Sequence, residues 1–180
     1  FADRAELARV APLVDVISFD VVGDRDTALE VYGLDVSLED YMRQLDLLQT
    51  MAPVVPHLTL GLRGGRISGE ERALAALAER HVERLILLIL IPTAGTRYAQ
   101  VEPPALDEVQ RLFALARRLL PAARIDLGCM RPHGRYRQEV DCLAIEAGLD
   151  GLVNPSRSAE RLAEELGRTV RWGAECCALL

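Results

Sequence analysis

The chain has 180 residues, 50% of them hydrophobic and 27% charged, with a formal net charge of −6 at pH 7. That length supports one sizeable core, and the composition lies far from the disordered class. The acidic balance argues against a nucleic-acid or membrane-surface protein, whose electrostatic footprint is basic.

Residues 14–20 (VDVISFD) read as a strand, followed by a loop whose acids Asp20 and Asp24 flank a turn at Gly23. In residues 37–50, Leu38, Tyr41, Leu45 and Leu48 recur three and four apart, and Ser37 with Asp40 makes a helix-start cap. Residues 54–60 (VVPHLTL) form a second strand, which runs into the glycine-rich turn GLRGGR at 61–66. Residues 69–80 are alanine-rich and charged, and predict a solvent-facing helix. The third strand spans residues 84–91. Its apolar run is far shorter than the roughly 20 residues a bilayer requires, and suits a strand buried on both faces.

In residues 105–120, Leu106, Val109, Leu112, Phe113 and Leu119 share one helical side, and Pro121 ends the helix. Residues 124–128 are a fourth strand, and residues 151–154 a short fifth. Helices at residues 137–147 and 158–166 are each followed by a glycine, Gly148 and Gly167, placed for a C-cap. Strand alternating with helix and no linker between them predicts a single parallel α/β domain over residues 1–180. Residues 173–180 are its cysteine-containing tail. Such a pattern suits an open doubly wound sheet or part of a (β/α) barrel, and in both the chemistry gathers at the C-terminal ends of the strands. Those ends present Asp20, His57 with Thr59, Pro92-Thr93, Cys129 with Arg131, and Asn154.

The four cysteines are Cys129, Cys142, Cys176 and Cys177. Two of them are adjacent, which is awkward for ordinary disulfides, so a reducing, cytoplasmic setting is expected. Cys142 reads as a core residue of its helix. All basic side chains except three histidines are arginine, which excludes a lysine Schiff base.

Several blocks resemble the biotin synthases of the radical S-adenosylmethionine (radical SAM) superfamily. They are RLFALARRLLP (111–121) with ARIDLGCMR (123–131), LLILIPTAGT (87–96), VPHLTLGLRGG (55–65) and DVVGDRDTALEVYG (20–33). The Glu-Cys-Cys-Ala-Leu pattern at 175–179 is similar to the tail of biotin-synthase homologues from archaea and some bacteria, some of them associated with lipoyl synthesis. The resemblance implies the C-terminal portion of a radical SAM TIM-like barrel. The CxxxCxxC motif that holds the [4Fe–4S] cluster is not found in this sequence. The chain starts at Phe1 rather than Met, and the reading is a C-terminal piece of a longer enzyme, inactive alone.

In the intact enzyme the resemblance implies S-adenosylmethionine, reductive cleavage to a 5′-deoxyadenosyl radical, and hydrogen abstraction from an unactivated carbon, followed by sulfur insertion or a related C–H activation. The substrate would be a small molecule such as a lipoyl or biotin-like precursor. Asp20, Arg43 and the backbone of Gly64 and Gly65 are expected at the cofactor. Asp20 and Asp24 read otherwise as acids holding a turn, and Arg43 as half of a surface salt bridge. His57, Thr59, Arg131 and Arg135 are expected at the substrate, with His57 alternatively a satisfied core histidine. His133 and Arg137 line the mouth or a solvated loop.

Arg131 matches the arginine that ligates an auxiliary iron–sulfur cluster in biotin synthase. With Cys129, Cys176 and Cys177 it forms the candidate metal set. Arg131 otherwise pairs with a carboxylate or a substrate anion, because a guanidinium stays protonated. Side chains alternate along a strand, so Cys129 and Arg131 are expected to face the same way. Two other function classes stay open: a metal-free (β/α) enzyme acting on an anionic metabolite, and a non-catalytic module whose barrel is completed by another chain or by a second copy.

Overall fold

The computed structural model describes residues 3–179. Five strands form one all-parallel sheet: β1 (Ile17–Asp20), β2 (Val54–Leu60), β3 (Arg84–Ile89), β4 (Arg124–Leu127) and β5 (Gly151–Leu152). They lie side by side in chain order. The register sets Asp20 beside His57, His57 beside Ile86, and Ile86 beside Asp126. Helices α3 (Leu38–Gln49), α4 (Glu70–Glu79), α5 (Leu106–Leu119), α6 (Arg135–Glu146) and α7 (Arg157–Glu165) cross between or follow these strands.

Crossovers between parallel strands are right-handed as a rule, and a strand order that never reverses then places the crossover helices on one face. The buried core shows this side: Leu58, Leu60, Leu85, Leu87, Ile89, Ile125 and Leu127 from the sheet pack with Leu45, Leu74, Leu77, Leu112, Phe113 and Val140 from the helices. A doubly wound sheet covers both faces, so the architecture is a partial (β/α) barrel. Each fully buried leucine in this layer contributes roughly 1.5–3 kcal/mol. No helix among the described residues is long and apolar enough to cross a membrane.

The boundaries follow local chemistry. Ser37 caps α3 in a reciprocal capping box with Asp40, α5 ends before Pro121, and α4 and α6 start directly after Gly69 and Gly134. Two expectations are corrected and two further elements are added. Helix α4 is not solvent-facing: Ala73, Leu74 and Leu77 are fully buried, because the alanines let it approach the sheet closely. Helix α1 (Arg4–Val10) and the turn at α2 (Arg25–Thr27), extended by a π-helical segment Ala28–Tyr32, carried no clear periodicity and appear only in the structure. Strand β4 ends at Leu127, so the alternation argument stops short of Cys129 and Arg131. Cys129 is exposed, whereas Arg131 is fully buried.

Candidate functional site

The face opposite the helices carries the strand-end chemistry. Along β1 the inner positions are Ser18 and Asp20, along β2 Val55, His57 and Thr59, along β3 Arg84, Ile86 and Leu88, and along β4 Arg124 and Asp126. Asp20 is exposed and sits in register with His57, which is 8% exposed. His57 Nδ1 lies 3.0 Å from the Val55 carbonyl oxygen. With its Nδ1 proton given to that carbonyl, Nε2 carries the lone pair on the inner face. Thr59, half-buried, continues this row toward the mouth. The charge of Asp20 adds to burial in raising the Tyr32 hydroxyl above its usual value, which places the two groups within electrostatic reach. Further along the same layer, buried Asp126 accepts from Arg124 Nε at 2.9 Å and from Arg84 at 3.5 Å.

Above this row three βα loops are pinned together. Glu30, in the loop after β1, accepts from the Tyr98 hydroxyl at 2.6 Å and from Arg63 Nε at 2.9 Å, with Arg97 at 3.4 Å. The Tyr98 hydrogen bond, then the Arg63 hydrogen bond, hold the Glu30 carboxyl below its usual pKa of 4.5. Gly23 and Gly69 draw the first loop onto the start of α4. A Cβ on Gly23 would sit 1.8 Å from the Gly69 carbonyl oxygen.

The far end of the rim is closed. Arg131 Nε donates to Asp141 at 2.6 Å, and its terminal nitrogens donate to the carbonyls of Gly128 (2.6 Å), Val153 (2.8 Å) and Asn154 (3.3 Å). The other Asp141 oxygen accepts from the Ser156 backbone N–H at 2.7 Å, at the N-cap of α7. Guanidinium and carboxylate are both fully buried, so this ion pair ties the β4 loop, α6 and the β5 loop into one unit. The sequence offered the carboxylate pairing as one fate of Arg131, but nothing in it named Asp141 as the partner.

Other candidates lie elsewhere. Arg43 pairs with Asp40 and Glu39 on the outer helical layer. Arg135 is exposed at the start of α6 and pairs with Glu139 at 2.6 Å. The amides of Gly64 and Gly65 are spent inside their own turn, on the carbonyls of Leu62 and Gly61, so the expected backbone cradle is not free. Glu70 further occupies the start of α4, accepting from Gly61 and Ser68 N–H at 2.9 and 2.7 Å. Asp24 caps α2 through the Thr27 N–H, the turn-holding role. Cys142 is half-buried on α6 and lines an outer groove with Leu106 and Leu143, away from the inner face.

The tail does return to the inner face, as far as Leu179; Leu180 lies outside the described residues. Cys177 and Ala178 are buried, and Cys177 packs on Val55 and Ile86. Arg84 donates to the carbonyls of Cys177 at 2.9 Å and Ala178 at 3.3 Å. The Cys176 and Cys177 sulfurs are 4.0 Å apart. Burial first, then the neighbouring Cys176, pushes the Cys177 thiol up to about 11. Among the described residues no three His, Cys, Asp or Glu side chains are grouped to hold a metal ion. With Cys129 exposed and the donors of Arg131 spent on Asp141 and protein carbonyls, the expected metal set is not gathered as a ligand set for an iron–sulfur cluster.

No family model matches the chain. Over 155 residues it is 30% identical to a biotin synthase of Gluconacetobacter diazotrophicus, covering 79% of this chain and 48% of that protein. A Synechococcus biotin synthase is 33% identical over 132 residues, covering 71% and 40%. One from Bordetella avium is 30% identical over 157 residues, covering 79% and 48%. The chain spans about half the length of the curated relatives it matches or less. A parallel sheet with helices on one face only, together with this identity over most of its own length, makes the chain a relative of the biotin synthases among the radical SAM proteins.

Proposed function

We propose that this chain forms part of the reaction chamber of a biotin-synthase-like radical SAM enzyme, with the inner face around Asp20 and His57 as its wall. The observation that carries the reading is the side-by-side placement of these two groups at the C-terminal ends of β1 and β2, where (β/α) barrels gather their chemistry. S-Adenosylmethionine held at a [4Fe–4S] cluster would supply one-electron chemistry for hydrogen abstraction, with sulfur insertion as the accompanying reaction class. This chain's own thiols do not fit a cluster, so its share is binding and orientation, and alone it is inactive. Asp20 accepts hydrogen bonds from ribose hydroxyls or an amine, and His57 Nε2 accepts one more. Thr59 adds a hydroxyl, and Arg135 at the rim attracts a carboxylate of a biotin- or lipoyl-like precursor. The rest of the wall comes from outside these residues, from further chain, a partner or a second copy, and the protein works away from membranes and nucleic acid in the cytoplasm.

Titration of the chain with S-adenosylmethionine, followed by NMR, tests this reading. The His57 imidazole and Asp20 amide signals should shift saturably, and Asp20→Asn should weaken the response about tenfold, the discrimination of one charge-assisted hydrogen bond. Shifts confined to the outer helices, or release of 5′-deoxyadenosine by the chain alone under reductant, would defeat it.

A further inference from the structure

The charged groups of the inner face at the start of β3 and β4 do not balance. Arg124 and Arg84 share one carboxylate, that of buried Asp126, at 2.9 and 3.5 Å. The rest of the Arg84 fork meets only backbone: its terminal nitrogens donate to the carbonyls of Cys177 at 2.9 Å and Ala178 at 3.3 Å. Its Nε is sealed from water and donates to nothing among the described residues. Carbonyl dipoles satisfy hydrogen bonds but bring no negative charge, and a buried donor left unmade is costly. A carboxylate supplies both needs, because its two oxygens match one edge of a guanidinium.

The tail that occupies this place is lightly held. Residues 164–176 are exposed without interruption, and only Cys177 and Ala178 are buried before Leu179. So small an anchor sets little against the entropy of ordering the segment. Cys177 rests on Val55 and Ile86, with Val16, Leu88 and Val153 packed beside them. Ile86 is the register partner of His57, so the tail sits in the proposed chamber rather than outside it. Next to the Arg84 fork, the surface under Cys177 is therefore apolar and suits a short hydrocarbon chain.

We propose that Arg84 anchors an apolar monocarboxylate on the inner face, and that the Cys177 and Ala178 carbonyls are tethered stand-ins which such a ligand displaces. The carboxylate takes the Nε and a terminal nitrogen of Arg84, and its alkyl chain takes the place of Cys177. The tail then lifts, because one fork cannot hold both. Exposed Arg135 at the rim meets the anion first, and Arg84, two residues before Ile86 on β3, retains it below His57. The inference rests on the chamber reading and deepens it, naming the ligand class that the inner face holds and the residue that holds it.

The test titrates the chain separately with octanoate, with octanol as its uncharged counterpart, and with inorganic phosphate. Amide exchange across residues 176–179 should quicken saturably with octanoate and respond little to the other two. Arg84→Gln should weaken octanoate binding about tenfold, the discrimination of one charge-assisted hydrogen bond. Cys177→Asn, which puts an amide on Val55 and Ile86 and so loosens the tail, should tighten it. Equal responses to octanoate and octanol, an equal response to phosphate, tail exchange unmoved by octanoate, or binding indifferent to Arg84→Gln would each overturn the proposal. The wild-type comparison of octanoate with octanol decides even where a variant folds poorly. S-Adenosylmethionine shifts at Asp20 and His57 without an octanoate response would overturn the Arg84 anchor and spare the chamber. An octanoate response without those shifts would spare the anchor and defeat the S-adenosylmethionine reading.

Discussion

The two ends of the C-terminal rim are built from similar residues to opposite effect. At the β4–β5 end, Arg131 and Asp141 are fully buried and their polar atoms are spent on the Gly128, Val153 and Asn154 carbonyls and the Ser156 amide. At the β1–β2 end, Asp20 is exposed and His57 keeps a ring nitrogen facing the inner side. A charged side chain at a strand end is therefore no evidence of a binding site until its partners are counted. The closed end is scaffold, and the open end has polar groups still free to meet a ligand.

Breaking the closed end should have the largest effect. Arg131→Met leaves buried Asp141 with only the more distant Arg137 guanidinium, at 4.0 Å, and loss of one partner of a buried pair costs up to about 3–5 kcal/mol, read as a lower urea midpoint at unchanged slope. The double variant Arg131→Met with Asp141→Leu should recover most of that loss, since apolar groups of similar volume often replace such pairs without penalty. Equal destabilisation of single and double variants would mean that packing rather than charge dominates there.

Gly23→Ala tests how the open end is held. Its Cβ would meet the Gly69 backbone, which cannot rotate away as a side chain can, so we expect roughly 1–3 kcal/mol of overpacking strain. Urea unfolding checks the size, and faster amide exchange in residues 21–33 checks the place.

The smallest and most local effect concerns Glu30. Its pKa is depressed in the folded chain, chiefly by the Tyr98 hydroxyl and then by Arg63. The stabilisation is therefore present above the unfolded value of 4.5 and is lost as pH falls through the folded value. Acidification below pH 4.5 should loosen the loops carrying Glu30, Arg63 and Tyr98 before the sheet unfolds. Glu30→Gln should show the same looseness at neutral pH, with its acid sensitivity removed. Tyr98 fluorescence and loop amide exchange follow both.

The strands and the later helices were legible because burial imposes a local period on the sequence: residues 85–91 are apolar without interruption, and α5 repeats at helical spacing. The gathering of Asp20, His57 and Thr59 on one face was legible too, since strand alternation places them there once the register is known. Helix α4 was misread because alanine satisfies a buried face and an exposed one equally well. The π-helical turn that carries Glu30 has no period to detect.

What the amino-acid order by itself determined was the alternation of elements, the parallel class and the positions of the strand ends, all consequences of short-range periodicity. The tertiary structure decided that all the long helices share one face, that Arg131 is spent on Asp141, and that Cys177 comes back to pack on Val55 and Ile86. Each of these is a pairing between residues distant along the chain. Burial energy and hydrogen-bond satisfaction select such partners only once the sheet has assembled, so no local pattern records them.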